Sequence, residues 1–247
     1  MPPDLLIPGH TLKIWYRQPR KPESIKAGIM KILIGYFMRS GSTLLQHIIS
    51  QHSQLCAYSD LSSFAVLAGL RMGLLHSPGH LCIKPMDIIY LRQQEKMYRY
   101  FNKYLWVARD PRDSYLSCLE SGYAYLFWPR GPQKAGIDIG LLKRWKRVYR
   151  NFFDAPKRWQ LLQYEDLVLR PDKTLTDLLD YLELPYERLL PFNKFKMRNG
   201  GDYKIRKTST VILSLASRYR RQFTNSQIEV FESYLGREMR WLGYAQP

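Results

Sequence analysis

Two groups of residues in this chain have the types and spacing to hold an anion. The first is Arg39-Ser40-Gly41-Ser42-Thr43, which follows the apolar run Lys31–Tyr36 and opens into Leu44-Leu45-Gln46-His47-Ile48-Ile49. A strand, a small-residue turn and a helix start, in that order, aim unpaired backbone N–H groups at one point, where the helix dipole favours negative charge. Gly41 permits a backbone that a Cβ resists, the hydroxyls add donors, and Arg39 supplies a permanent cation. The second is Arg109 at the end of Tyr104-Leu105-Trp106-Val107-Ala108, with Asp110 and Pro111 suited to start a helix. Ser117 then falls about two helical turns further on. A guanidinium fork and a hydroxyl placed this way can grip one phosphate from two directions.

Neither group is a nucleoside-triphosphate loop of the G-x-x-x-x-G-K-[ST] kind. Ser42, not lysine, follows Gly41, and the cation precedes the glycine. The alternative for the first group alone is a well-capped strand–turn–helix connection. The two groups together favour the anion site.

With these residues in view, the chain resembles the sulfotransferases that use 3′-phosphoadenosine 5′-phosphosulfate (PAPS). Their [KR]-S-G-[ST]-[ST] loop is similar to Arg39–Thr43, and their V-x-R-[DN]-P-x-D…S segment is similar to Val107–Ser117. A third stretch, LLQYEDLVLRPDKTLTDLLDYLEL from Leu161 to Leu184, is similar to the family's strand ending in Y-E-D-L and its proline-started helix. The likeness runs from about Lys31 to the C-terminus. It implies a P-loop-like α/β domain, a central parallel sheet flanked by helices on both faces. It also implies transfer of a sulfuryl group from PAPS, leaving adenosine 3′,5′-bisphosphate.

Carried over residue by residue, the resemblance gives the 5′-phosphosulfate to Arg39, Ser40, Gly41, Ser42, Thr43 and Leu44. The 3′-phosphate goes to Arg109 and Ser117, and the adenine lies near Tyr164. A looser match gives Lys207, Thr208 and Ser209 a place over the cofactor. Arg39 would also neutralise charge on the departing bridge. The chain differs from the cytosolic members in carrying Arg39 in place of their loop lysine. Where they have K-T-H it has Lys84-Pro85-Met86, so the histidine base is missing. Other members place an acidic base after the first helix, and Asp60 occupies that place. A partly desolvated carboxylate beside phosphates suits proton abstraction. Its alternative reading is a helix cap near Ser62 or Ser63. Asp87 is the second candidate base and His80 the third. No metal-ligand spacing appears among the histidines.

The elements that must position these residues alternate along the chain. Strands are expected at Lys31–Tyr36, Leu55–Tyr58, Leu81–Lys84, Tyr104–Ala108 and Trp159–Gln163. Helices are expected at Ser42–His52, Ser63–Leu75, Met86–Phe101, Pro111–Ser121, Ile137–Phe153 and Pro171–Leu182, with two more near Val211–Arg220 and Ser226–Leu235. Alternation of this kind predicts a parallel sheet covered by helices, with ligands beyond the carboxyl ends of the strands. Arg39, Asp60, Asp87, Arg109 and Tyr164 all follow expected strand ends.

The chain has 247 residues, 45% apolar, with no Pro/Gly/Ser-rich linker, so one domain over residues 29–247 behind a lead-in at 1–28 is the simplest organisation. Cys56, Cys82 and Cys118 have no disulfide or metal spacing and read as buried hydrophobes in a reducing compartment. With no apolar run near ~20 residues and no signal segment, a cytoplasmic protein without a membrane span is expected. The net charge of +17 suits a polyanionic nucleotide, and it also suits an anionic acceptor. A small metabolite or a saccharide is the expected acceptor, and 121–140 reads equally as a lid or wall for it or as core aromatics beneath a loop. Oligomeric state is not legible. Two other classes are kept: a P-loop nucleotide kinase, which needs a Walker lysine that is not found, and a basic nucleic-acid-binding protein, whose affinity would fall steeply with salt.

Overall fold

The computed structural model describes residues 6–7, 10–11, 28–75, 77, 79–86, 94–121, 131–189 and 216–244. Its centre is a five-stranded parallel sheet built from β1 (Lys31–Tyr36), β2 (Leu55–Leu61), β3 (His80–Pro85), β4 (Lys103–Ala108) and β5 (Gln160–Gln163). The helices are α1 (Ser42–Ile49), α2 (Ser63–Arg71), α3 (Gln94–Tyr98), α4 (Pro111–Ser121), α5 (Ile139–Phe153), α6 (Tyr164–Leu169), α7 (Pro171–Tyr181), α8 (Tyr219–Gln222) and α9 (Asn225–Trp241). Two short antiparallel pairings, Leu6–Ile7 with His10–Thr11 and Gln133–Lys134 with Ile137–Asp138, stand apart from the sheet.

The strand order is β2-β3-β1-β4-β5. After β1 the chain leaves through α1 for the β2 edge, and after β4 it leaves through α4 and α5 for the β5 edge. Two neighbouring strands whose exits diverge leave a crevice at their carboxyl ends, the topological switch point of such sheets. Arg39 and Arg109 stand at those two exits.

The central strands are apolar because helices cover them. Ile32, Leu33, Ile34, Leu105, Trp106, Val107 and Ala108 are all fully or almost fully buried. The Trp106 ring lies 5.3 Å from Tyr149 and 5.7 Å from Phe152 of α5, and 5.0 Å from Trp159. A Cβ at Gly35 would overlap both tryptophans, so the bare backbone of β1 is what lets them pack across the sheet. Aromatic contacts of this kind fix the strands that carry the two arginines.

Several boundaries differ from the sequence expectation, each for a local reason. Strand β2 continues to Leu61 because a register shift between Ser59 and Leu61 absorbs Asp60 as a bulge. The α5 helix starts after Asp138, whose carboxylate accepts from the Leu141 N–H, so Ile137 belongs to the short pairing instead. Strand β5 stops at Gln163 as expected, and Tyr164 opens α6, with Glu165 and Asp166 in the first helical turn, where the dipole favours them. The Thr224 cap is present as a capping box with Gln227, but α9 runs on to Trp241 because Val230, Phe231, Leu235 and Met239 keep its buried stripe going. The helix expected over Met86–Phe101 is seen as Gln94–Tyr98, residues 87–93 lying outside the described residues. Cys56, Cys82 and Cys118 are buried free thiols. Among the described residues no helix is long and apolar enough to cross a membrane.

Candidate active site

The turn after β1 holds two residues in the left-handed region, Arg39 at φ 64° and Gly41 at φ 90°. Gly41 is the N-cap of α1 and gives no side-chain cap, so the first amides of the helix are left for a ligand. Ser40 is 1% exposed, and its Oγ has no hydrogen-bond partner among the described residues. A buried hydroxyl beside an uncapped helix start marks a place for an acceptor group. Ser42 is buried, while Thr43 and Leu44 are half-buried on the first turn. The ring of Tyr164 lies so close to Gly41 that any Cβ there would overlap it.

Arg109, buried at the tip of β4, reaches the same turn. Its Nη1 donates to the Arg39 carbonyl at 3.2 Å, and its guanidinium carbon lies 4.3 Å from the centre of the Tyr164 ring. The Arg39 Nε in turn donates to Ser117 Oγ at 3.0 Å, from the second turn of α4. Burial raises the Tyr164 hydroxyl above its ordinary pKa, so the ring is neutral beside the cation. Asp110 caps α4 as expected, its Oδ1 accepting the Arg112 N–H at 2.9 Å. Arg39, Gly41, Arg109, Ser117 and Tyr164 therefore form one continuous cluster.

Asp60 stands two strands away on the same edge of the sheet. It is the bulged residue of β2, at φ 54°, with its side chain about half exposed. The cap reading for it is removed: Ser62 caps α2, its Oγ accepting from the Ala65 N–H at 3.2 Å. The Asp60 carboxylate instead pairs with Lys84 and accepts from Ser59 Oγ at 3.0 Å. Strained left-handed backbone at a non-glycine residue is characteristic of functional positions. Lys84, at the carboxyl end of β3, is 1% exposed, with its Nζ 4.8 Å from the centre of the Tyr36 ring. Sequence reasoning missed it as a site residue. The signal was a lone lysine at the end of the buried strand HLCIKP, where only a partner makes a buried cation tolerable. His47 of α1 lies within the field of this pair. Burial, then Lys84, lowers its pKa, and Asp60 opposes the shift.

His80 is excluded as the base by position. It starts β3, at the opposite edge of the sheet, where its Nδ1 accepts the Met30 N–H at 3.1 Å. Asp87, Lys207, Thr208 and Ser209 lie outside the described residues.

The site as described matches the chemistry of a phosphorylated nucleotide. It has an uncapped helix start, an unpartnered buried hydroxyl, a flat aromatic ring and two guanidinium groups joined through one turn. The sulfotransferase family model matches residues 92–188. The sulfotransferase domain from the curacin biosynthetic pathway superposes with a TM-score of 0.68 at 19% identity, covering 90% of this chain and 100% of that one. The chain shares its fold with that domain. The sulfotransferase domain of the Synechococcus PCC 7002 olefin synthase has a TM-score of 0.62 at 18% identity, covering 94% of this chain and 100% of that one. Mouse sulfotransferase SULT7A1, solved in complex with PAP, has a TM-score of 0.58 at 14% identity, over 86% of this chain and 84% of that one. No curated protein matches the chain. The matched sulfotransferase segment contains Arg109, Ser117 and Tyr164, whereas the Arg39 turn and the Asp60–Lys84 pair precede it.

Proposed function

We propose that the protein transfers the sulfuryl group of PAPS to a hydroxyl or amine of a small polar metabolite or a saccharide, releasing adenosine 3′,5′-bisphosphate. The observation that carries this reading is the junction of the two anion-binding groups. Arg109 bonds the Arg39 carbonyl and Arg39 bonds Ser117, so a single nucleotide can span both. The donor supplies an activated sulfuryl group on its 5′-phosphate.

Ser40, Ser42, Thr43 and the first amides of α1 hold the 5′-phosphate, with Leu44 beneath them. Arg109 and Ser117 hold the 3′-phosphate, and Tyr164 lies along the base. Asp60 takes the proton as the acceptor oxygen or nitrogen bonds to sulfur, while the bond from sulfur to the bridging oxygen breaks and its electron pair stays on the phosphate. Arg39 neutralises charge on that leaving oxygen. Lys84 holds the Asp60 carboxylate in place and counters charge on the sulfuryl oxygens. As in phosphoryl transfer, the protein contributes positioning and electrostatics. Three buried free thiols suit a reducing compartment such as the cytoplasm.

The test is incubation with donor labelled in its sulfuryl group and a panel of hydroxyl, amine and saccharide acceptors. Label is expected to move to one acceptor class with matching release of the bisphosphate, and to stay on the donor with Arg39→Ala. Release of neither product across the whole panel, from protein that binds the bisphosphate, would overturn the enzymatic reading.

A further inference from the structure

Arg109 and Tyr164 hold their places because of the residues that follow each of them. Asp110, next to Arg109, donates its backbone N–H to Glu165 Oε1 at 3.0 Å, and Glu165 is next to Tyr164. The Asp110 carboxylate receives Arg112 Nε at 2.9 Å and Nη2 at 2.7 Å, a bidentate pair in which Arg112 is 1% exposed. Arg112 also donates to the Tyr244 carbonyl, and the Tyr244 hydroxyl donates to Glu165 Oε2 at 2.9 Å. The circuit is closed: Glu165, Asp110, Arg112, Tyr244 and back to Glu165.

The circuit joins the tip of β4, the start of α6 and the segment after α9. It is reinforced from α8, where the Tyr219 ring lies 3.8 Å from the Arg112 guanidinium. Asp113 accepts the N–H groups of Ser217 and Tyr219 at 2.6 and 2.9 Å. Burial raises the Glu165 carboxyl above its ordinary pKa, and the Asp110 and Tyr244 donors oppose that shift. A network in this setting is rigid only while every member has its partner.

We propose that Tyr244, acting through Glu165, is a positioning residue for the nucleotide pocket. The circuit fixes the backbone on either side of the Arg109–Tyr164 stack, and so fixes where the 3′-phosphate fork points. This rests on the proposed donor, since it assigns the stack to a 3′-phosphorylated adenosine. Displacing a binding group by a fraction of an ångström to one ångström is enough to weaken its contact.

The test is Tyr244→Phe, read as the ratio of calorimetric affinities for adenosine 3′,5′-bisphosphate and adenosine 5′-phosphate. A purely structural role lowers the melting temperature and leaves this ratio alone. Tyr181→Phe is the matched control. That hydroxyl accepts the Tyr104 N–H at 3.4 Å and donates to the Tyr104 carbonyl at 3.3 Å, near the amino end of β4. The ratio is expected to fall about tenfold in Tyr244→Phe and to stay unchanged in Tyr181→Phe. Glu165→Gln, which keeps one acceptor oxygen, should move it in the same direction, and decides the matter if Tyr244→Phe does not fold. A wild-type-like ratio in the folded variant overturns the positioning role. A wild-type protein with no preference for the bisphosphate overturns the nucleotide assignment instead.

Discussion

Replacing Arg109 with alanine is expected to weaken adenosine 3′,5′-bisphosphate binding by about a hundredfold or more, with the protein still folded by circular dichroism. Each charge-assisted hydrogen bond contributes roughly 1.5–3 kcal/mol, and a buried fork facing a phosphate makes two of them. The same substitution removes the cation stacked on Tyr164 and the bond to the Arg39 carbonyl, so both halves of the pocket loosen together. Arg109→Lys should bind with intermediate affinity, because it keeps the charge but loses the planar fork. Ser117→Ala should cost about tenfold, through the lost hydroxyl and through an Arg39 side chain no longer tethered to α4. Calorimetry on the three variants orders them. Wild-type affinity in folded Arg109→Ala would remove Arg109 from the site.

Asp60→Asn should lower kcat by roughly 10²–10⁴, the range for loss of a general base, while nucleotide affinity stays within about twofold of wild type. The asparagine keeps an oxygen for Lys84, so the buried lysine retains a partner and the bulge its geometry. That separation of kcat from binding distinguishes a base from a residue that shapes the donor pocket. Lys84→Met should also lose turnover, with little loss of stability, because water solvates the half-exposed Asp60 carboxylate and a buried charge is removed. Unchanged kcat in Asp60→Asn would pass the role to Asp87, since His80 is held at the far edge of the sheet.

The parallel sheet and the meeting of the two anion-binding groups were legible because their signals are local. Strand β1 and helix α4 begin and end where the residues say, since a buried apolar run and a proline-started helix with an aspartate cap leave little choice. The clustering of Arg39, Arg109 and Tyr164 follows from strand ends in an α/β sheet. What could not be read was contact between distant segments. The sequence places Lys84 in the stretch that lacks the histidine, but its pairing with Asp60 follows only from the register of β2 and β3. The Asp60 bulge depends on that pairing register and not on any motif. Arg112, Glu165 and Tyr244 are far apart in sequence, and their circuit exists only because α9 returns the chain to α4. The exposed cations of α5, Lys143, Lys146, Arg147 and Arg150, form a solvated helix face, with Lys146 paired to Glu238.

The most direct measurement is a calorimetric titration of the wild-type protein with adenosine 3′,5′-bisphosphate and, separately, with the 3′- and 5′-monophosphates. If one nucleotide is held at both ends, the bisphosphate binds at one site per chain, at least tenfold tighter than either monophosphate. A bisphosphate that binds no tighter than the better monophosphate would contradict the account.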